Sequence, residues 1–96
     1  MPRKYPLLTP REVIAILRSR GLVYDHSYGS HEYYSGILKG KRRFVTVDVN
    51  YSEFSIRRIK DMIDQSGLTR EEFYGSTERT AKKINLIAPE YPIPLK

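Results

Sequence analysis

Hydrophobic positions change their period twice along the chain, and each change predicts an element boundary. Between Pro10 and about Arg20, Val13, Ile14 and Leu17 fall on one stripe while Arg11, Arg18 and Arg20 lie off it, which predicts an amphipathic helix. Thr9 can cap that helix, Pro10 suits its first position, Glu12 can close a capping box, and Gly21 supplies a left-handed stop. After Gly21 the period shortens to two. LVYDHSY, rich in Val and Tyr, predicts a first strand ended by Gly29-Ser30, and HEYYSGIL predicts a second. KGKRR then supplies a glycine turn with basic shoulders. FVTVDVN follows, in which Val45, Val47 and Val49 alternate with Thr46 and Asp48, and this predicts a third strand with one buried and one wet face. In the second strand, Tyr33 with Ile37 and Tyr34 with Leu38 are both core-facing sets, so the face that carries His31 is open at this point.

Helical spacing returns in SEFSIRRIKDMIDQSG, where Ile56, Ile59, Met62 and Ile63 share a stripe that stops at Gly67. LTREEFYG offers a second capping box, Thr69 to Glu72, and one short turn that tucks Phe73 and Tyr74 onto the core. STERTAKKINLIAPEYPIPLK can begin as a helix, but its three prolines predict an extended end. Residues 1–75 are therefore the expected domain, and residues 76–96 a partly extended C-terminal tail. The order helix, three strands, helix describes an α+β fold: a three-stranded antiparallel meander with two helices on one face. Double-stranded-RNA-binding domains use that α-β-β-β-α arrangement, although a fold alone licenses no function.

Charge adds a partner class to this picture. Seventeen Lys and Arg against eleven Asp and Glu give the 96 residues a net charge of +6, which favours polyanions through long-range attraction and counterion release. The absence of cysteine excludes a disulfide framework and a thiolate metal site. The longest apolar run is VIAIL, and the opening MPRKYPLLTPREV has no apolar stretch of signal-peptide length, so a cytoplasmic protein with no membrane partner is expected. The cationic residues form two groups: Lys39, Lys41, Arg42 and Arg43 around the second hairpin, and Arg57, Arg58 and Lys60 on the second helix. With tyrosines at 28, 33 and 34 they resemble a phosphate-binding face with stacking surfaces, against the ordinary reading of a solvated surface.

Candidate chemistry centres on Gly29-Ser30-His31. Gly29 permits a turn, Ser30 offers a hydroxyl, and His31 opens a strand where its ring can be fixed. An imidazole so held passes protons near neutral pH, as RNA cleavage requires of a group that deprotonates a 2′-hydroxyl or protonates a leaving oxygen. A histidine at a strand start is more often a surface polar residue, so the triplet by itself does not decide. His26, beside Asp25, has no such turn, and the two histidines are not spaced as a zinc pair.

In their order and spacing, REVIAILRSRGLVYDHSYGSHEYY, RRFVTVDVN and IRRIKDMIDQSGLTREEF resemble the HicA, or YcfA-like, family of bacterial toxin–antitoxin modules over roughly residues 10–75. The resemblance implies a small mRNA interferase, an endoribonuclease that works without metal or other cofactor, on a double-stranded-RNA-binding-domain-like fold. Its implied partners are mRNA and a HicB-like antitoxin that covers the site. His31 is then the catalytic general acid or base and Gly29 a structural residue of the motif. Ser30, Lys39, Lys41, Arg42, Arg43, Arg57, Arg58 and Lys60 are the RNA-binding set. Asp48 and Asn50 stand where many members carry Pro or a second His, and an acidic group there either repels phosphate or orients an imidazole. Glu32 stands where a basic residue is frequent. Two other readings use the same residues: a non-catalytic RNA-binding module, and an interaction protein whose basic surface meets an acidic partner.

Overall fold

A computed structural model describes residues 3–96; Met1 and Pro2, with which the expected domain begins, lie outside the described residues. The elements run α1 (Pro10–Ser19), β1 (Val23–Tyr28), β2 (His31–Leu38), β3 (Lys41–Asp48), α2 (Ile56–Ser66), α3 (Arg70–Tyr74) and α4 (Glu78–Lys82). They form a small α+β domain whose three strands make one antiparallel sheet in the order β1-β2-β3.

The β2–β3 turn is only Lys39-Gly40, with φ of 55° and 78°. Positive φ at both positions is the type I′ geometry that matches strand twist. So short a turn starts β3 at Lys41, three residues before the first valine-rich stretch predicted it, and Lys41, Arg42 and Arg43 pair with Leu38, Ile37 and Gly36 inside the sheet. Alternation from this register separates the side chains. Tyr34, Leu38, Val45 and Val47 are buried and join Val13, Ile16 and Leu17 of α1 and Ile59 and Ile63 of α2 in one core. Each such side chain contributes about 1.5–3 kcal/mol through removal from water. Ile16 fills the α1 stripe where Ile14 was expected, and Ile14 is half-buried. The open question about β2 is thereby answered: Tyr34 and Leu38 face the core, and His31 shares the uncovered face with Tyr33 and with Ile37, which is 62% exposed.

Both capping boxes form. Thr9 Oγ1 accepts from Glu12 N–H at 3.2 Å while Glu12 Oε1 accepts from Thr9 N–H at 2.9 Å, and Thr69 and Glu72 repeat the exchange. Both glutamates are buried and take their cations from distant residues: Lys83 and Arg79 donate to Glu12, Lys39 to Glu72. Residues after Gly75 therefore pack against the rest of the domain. Arg20, at the end of α1, donates to the Ser76 hydroxyl and to the carbonyls of Glu72 and Ile93, and Lys96 N–H donates to Glu72 Oε2. α2 stops at Gly67, whose φ of 77° is the left-handed conformation that favours glycine, and the Arg43 guanidinium lies over it. Among the described residues no helix is long and apolar enough to cross a membrane.

Candidate functional site

His31 follows directly from the two-residue Gly29-Ser30 turn and is paired in the sheet with Tyr28 on one side and Asp48 on the other. The kind of pairing matters for its side chain. Thr46 N–H donates to Gln65 Oε1 of α2 at 3.0 Å, so it points away from β2. Tyr33–Thr46 is then a non-hydrogen-bonded pair, and so is His31–Asp48 two residues along, the kind in which Cα atoms approach to about 4.5 Å. Asp48 Oδ2 accordingly stands 3.4 Å from His31 Nε2, with the imidazole 51% exposed and the carboxylate 17%.

The carboxylate is itself held. Asp48 Oδ1 accepts from Asn50 N–H at 3.0 Å. That bond first, and then the Ser30 hydroxyl and the nearby His31 and Arg58, keep the Asp48 carboxyl below the usual carboxylate range. It therefore stays ionised at pH values where an ordinary aspartate begins to protonate. A carboxylate facing Nε2 supports a positive charge on the half-exposed ring whenever that ring takes up a proton.

A cleft of about 170 Å³ opens beside this pair, between β3 and α2. Phe54 and Met62, both buried, form its apolar base; Thr46, Arg58, Asp61 and Gln65 complete it. Arg58, Asp61 and Gln65 fall three and four residues apart, so they form one stripe of α2 beside its core stripe. The Arg58 guanidinium lies 4.4 Å from the centroid of the Tyr51 ring, which steadies it at the mouth.

Among the cationic residues expected from sequence, Arg58 is the one that lines the cleft with His31. Lys41 and Arg42 are exposed, but they belong to the hairpin end of the sheet. His31 and Leu38 mark opposite ends of β2, roughly 23 Å apart at the rise of an extended strand. Lys39 is bound to the buried Glu72, and Arg43 donates to the Leu38 carbonyl and lies over Gly67. Arg57 is exposed, while Lys60 reaches over the Tyr5 ring. Ser30 is half-buried at the turn, beside Asp48.

The aromatic expectation divides in the same way. Tyr34 is buried and donates to Glu32 at 2.8 Å, and burial followed by that acidic neighbour pushes its hydroxyl up to about 12. Glu32 thus lies on the sheet face opposite His31. Tyr28 is exposed, and Tyr33 stacks on His26 at 4.5 Å with planes 8° apart, so the histidine without a turn motif is part of the open face.

Sequence reasoning did not single out Thr46, Phe54, Asp61, Met62 or Gln65 as site residues. The spacing of 58, 61 and 65 was a usable signal for the helical part. Among the described residues no three His, Cys, Asp or Glu side chains come together as a metal site. No family model, no curated protein and no solved structure matches this chain.

Proposed function

We propose that the chain is an endoribonuclease of the mRNA interferase type, the toxin half of a HicA/HicB-like module built on a double-stranded-RNA-binding-domain-like scaffold. The observation that carries this reading is the convergence of a half-exposed imidazole, an ordered carboxylate and a guanidinium on one cleft. Placed there, a ribose 2′-hydroxyl gives its proton to His31 as its oxygen attacks the adjacent phosphorus. The bond from phosphorus to the 5′-oxygen then breaks; that oxygen takes a proton from solvent water as it leaves, and His31 returns the proton it accepted to solvent. The products are a 2′,3′-cyclic phosphate and a 5′-hydroxyl. Asp48 supports the charge that builds on the ring, as a carboxylate does in hydrolase triads, and Arg58 neutralises charge growing on the phosphorane oxygens.

One P–O bond replaces another and protons are passed, with no change of oxidation state and no step assigned to a metal. A HicB-like antitoxin would inhibit by covering His31 and Arg58 with acidic side chains. The runner-up is a non-catalytic RNA-binding module, favoured by the distance between the hairpin cations and His31.

Replacing Asp48 with asparagine separates orientation from repulsion. If Asp48 orients His31, kcat for RNA cleavage falls about 10- to 100-fold with KM little changed, since a group acting through the base is lost. Faster cleavage with tighter RNA binding in Asp48→Asn would show instead that the carboxylate only repels phosphate.

A further inference from the structure

The cleft beside His31 is more than a place for a phosphate. We infer that it recognises a guanine base of the bound strand, through Asp61 and Gln65. The inference deepens the ribonuclease reading and takes from it that the ligand is RNA.

Size comes first. A cleft of about 170 Å³ lies below the roughly 300–1,000 Å³ that enclose a drug-sized ligand, and its base of Phe54 and Met62 is apolar. It suits one planar ring system, with the sugar and phosphate left outside against His31 and Arg58. Single-stranded RNA offers that shape, because unstacked bases insert into pockets and are read on their Watson–Crick edges.

The polar groups then select among bases. Gln65 Oε1 accepts from Thr46 N–H at 3.0 Å, and a backbone N–H can only donate, which fixes the amide orientation and leaves its NH₂ group free to donate into the cleft. Asp61, one helical turn earlier, lines the same cleft and forms no ion pair among the described residues. The cleft therefore presents a carboxylate, which can accept two parallel hydrogen bonds, next to a donor.

Guanine matches this pattern on its Watson–Crick edge. Its N2–H and N1–H are adjacent donors for the carboxylate, and its O6 is an acceptor for the amide. Adenine and cytosine put a ring-nitrogen lone pair beside their amino group, and uracil flanks its one N–H with two carbonyls. Each would set an acceptor against a carboxylate oxygen, and a site built for hydrogen bonds rejects a ligand that leaves them unmade.

The test uses the full chain and four dinucleotides, NpA with N as G, A, C or U, whose 2′-O-methyl riboses prevent cleavage. Backbone amide shifts are followed by NMR. The expected result is that GpA binds about tenfold or more tightly than the others, with shifts at Thr46, Asp61 and Gln65. Asp61→Asn, at an exposed position, should bring the four affinities together. So should Gln65→Glu, which keeps an acceptor for Thr46 N–H but sets another acceptor against O6. Equal binding of all four, binding of none, or a guanine preference that survives both substitutions overturns the inference. The ribonuclease reading fails separately: a chain that binds GpA selectively but leaves the all-ribose GpA uncut retains the pocket and loses the enzyme.

Discussion

Replacing His31 with alanine is expected to lower RNA cleavage by about 10²- to 10⁴-fold, the range contributed by a positioned acid or base, while RNA affinity stays within roughly threefold. The two effects separate because the side chain lies half exposed at the start of β2 and contributes nothing to the core. On the proposed reading, binding rests on cations that the substitution leaves in place: Arg58 in the same cleft, and Lys41 and Arg42 at the hairpin end. Single-turnover cleavage and a salt-dependent binding titration on the same preparation measure both quantities. Cleavage that survives in His31→Ala removes the imidazole from the reaction. A native chain that binds RNA without cutting it favours the non-catalytic module.

The second large effect concerns stability in acid. Glu72 is 1% exposed. Burial by itself would raise its pKa, but hydrogen bonds from Lys39, Thr69 N–H and Lys96 N–H outweigh burial and hold it down at about 2. A carboxyl depressed in the folded chain stabilises it in full above the unfolded value near 4.5, and that stabilisation drains away as pH falls toward 2. The contribution is roughly 3 kcal/mol, a large fraction of the about 5–15 kcal/mol that holds a domain folded. Glu12 and Asp48 are shifted in the same direction and add to the acid sensitivity. Denaturant unfolding of the native chain between pH 7 and pH 2.5 should show this loss. Glu72→Gln, which cannot ionise, should be less stable at pH 7 and show a flatter dependence on pH. An unchanged pH slope in Glu72→Gln would contradict the assignment.

Glu72 also illustrates what sequence could carry. Its place in a capping box was legible, because Thr-x-x-Glu is a local pattern with a local hydrogen-bond exchange. That Lys39 would reach it was not, since the pair joins residues far apart in the chain. The same contact ties Lys39 to the fold, and Arg43 likewise donates to the Leu38 carbonyl and lies over Gly67. Local charge density could not distinguish a cation held by the fold from one facing water.

The His31–Asp48 pair lay closer to reach. Partners count off one to one from a two-residue turn, so placing Lys39-Gly40 as the whole β2–β3 turn sets position 31 opposite 48. Starting β3 at Phe44 concealed that count. Reading KGKRR as the turn hides that Lys41, Arg42 and Arg43 are strand residues whose side chains alternate between faces. His26 stayed hidden for another reason: the pairing shifts register between Tyr24 and His26, and that irregularity sets the ring on Tyr33. Nothing in a period-two pattern announces a bulge of that kind.

Attack by a ribose 2′-hydroxyl driven by His31 leaves a signature on the product ends, read by mass spectrometry after the purified chain is incubated with a mixed-sequence RNA in EDTA. The upstream fragments should carry 2′,3′-cyclic phosphates and the downstream ones 5′-hydroxyls, with no cut at any position whose ribose is 2′-O-methylated. Intact RNA, or cutting that continues at methylated positions, would contradict that mechanism.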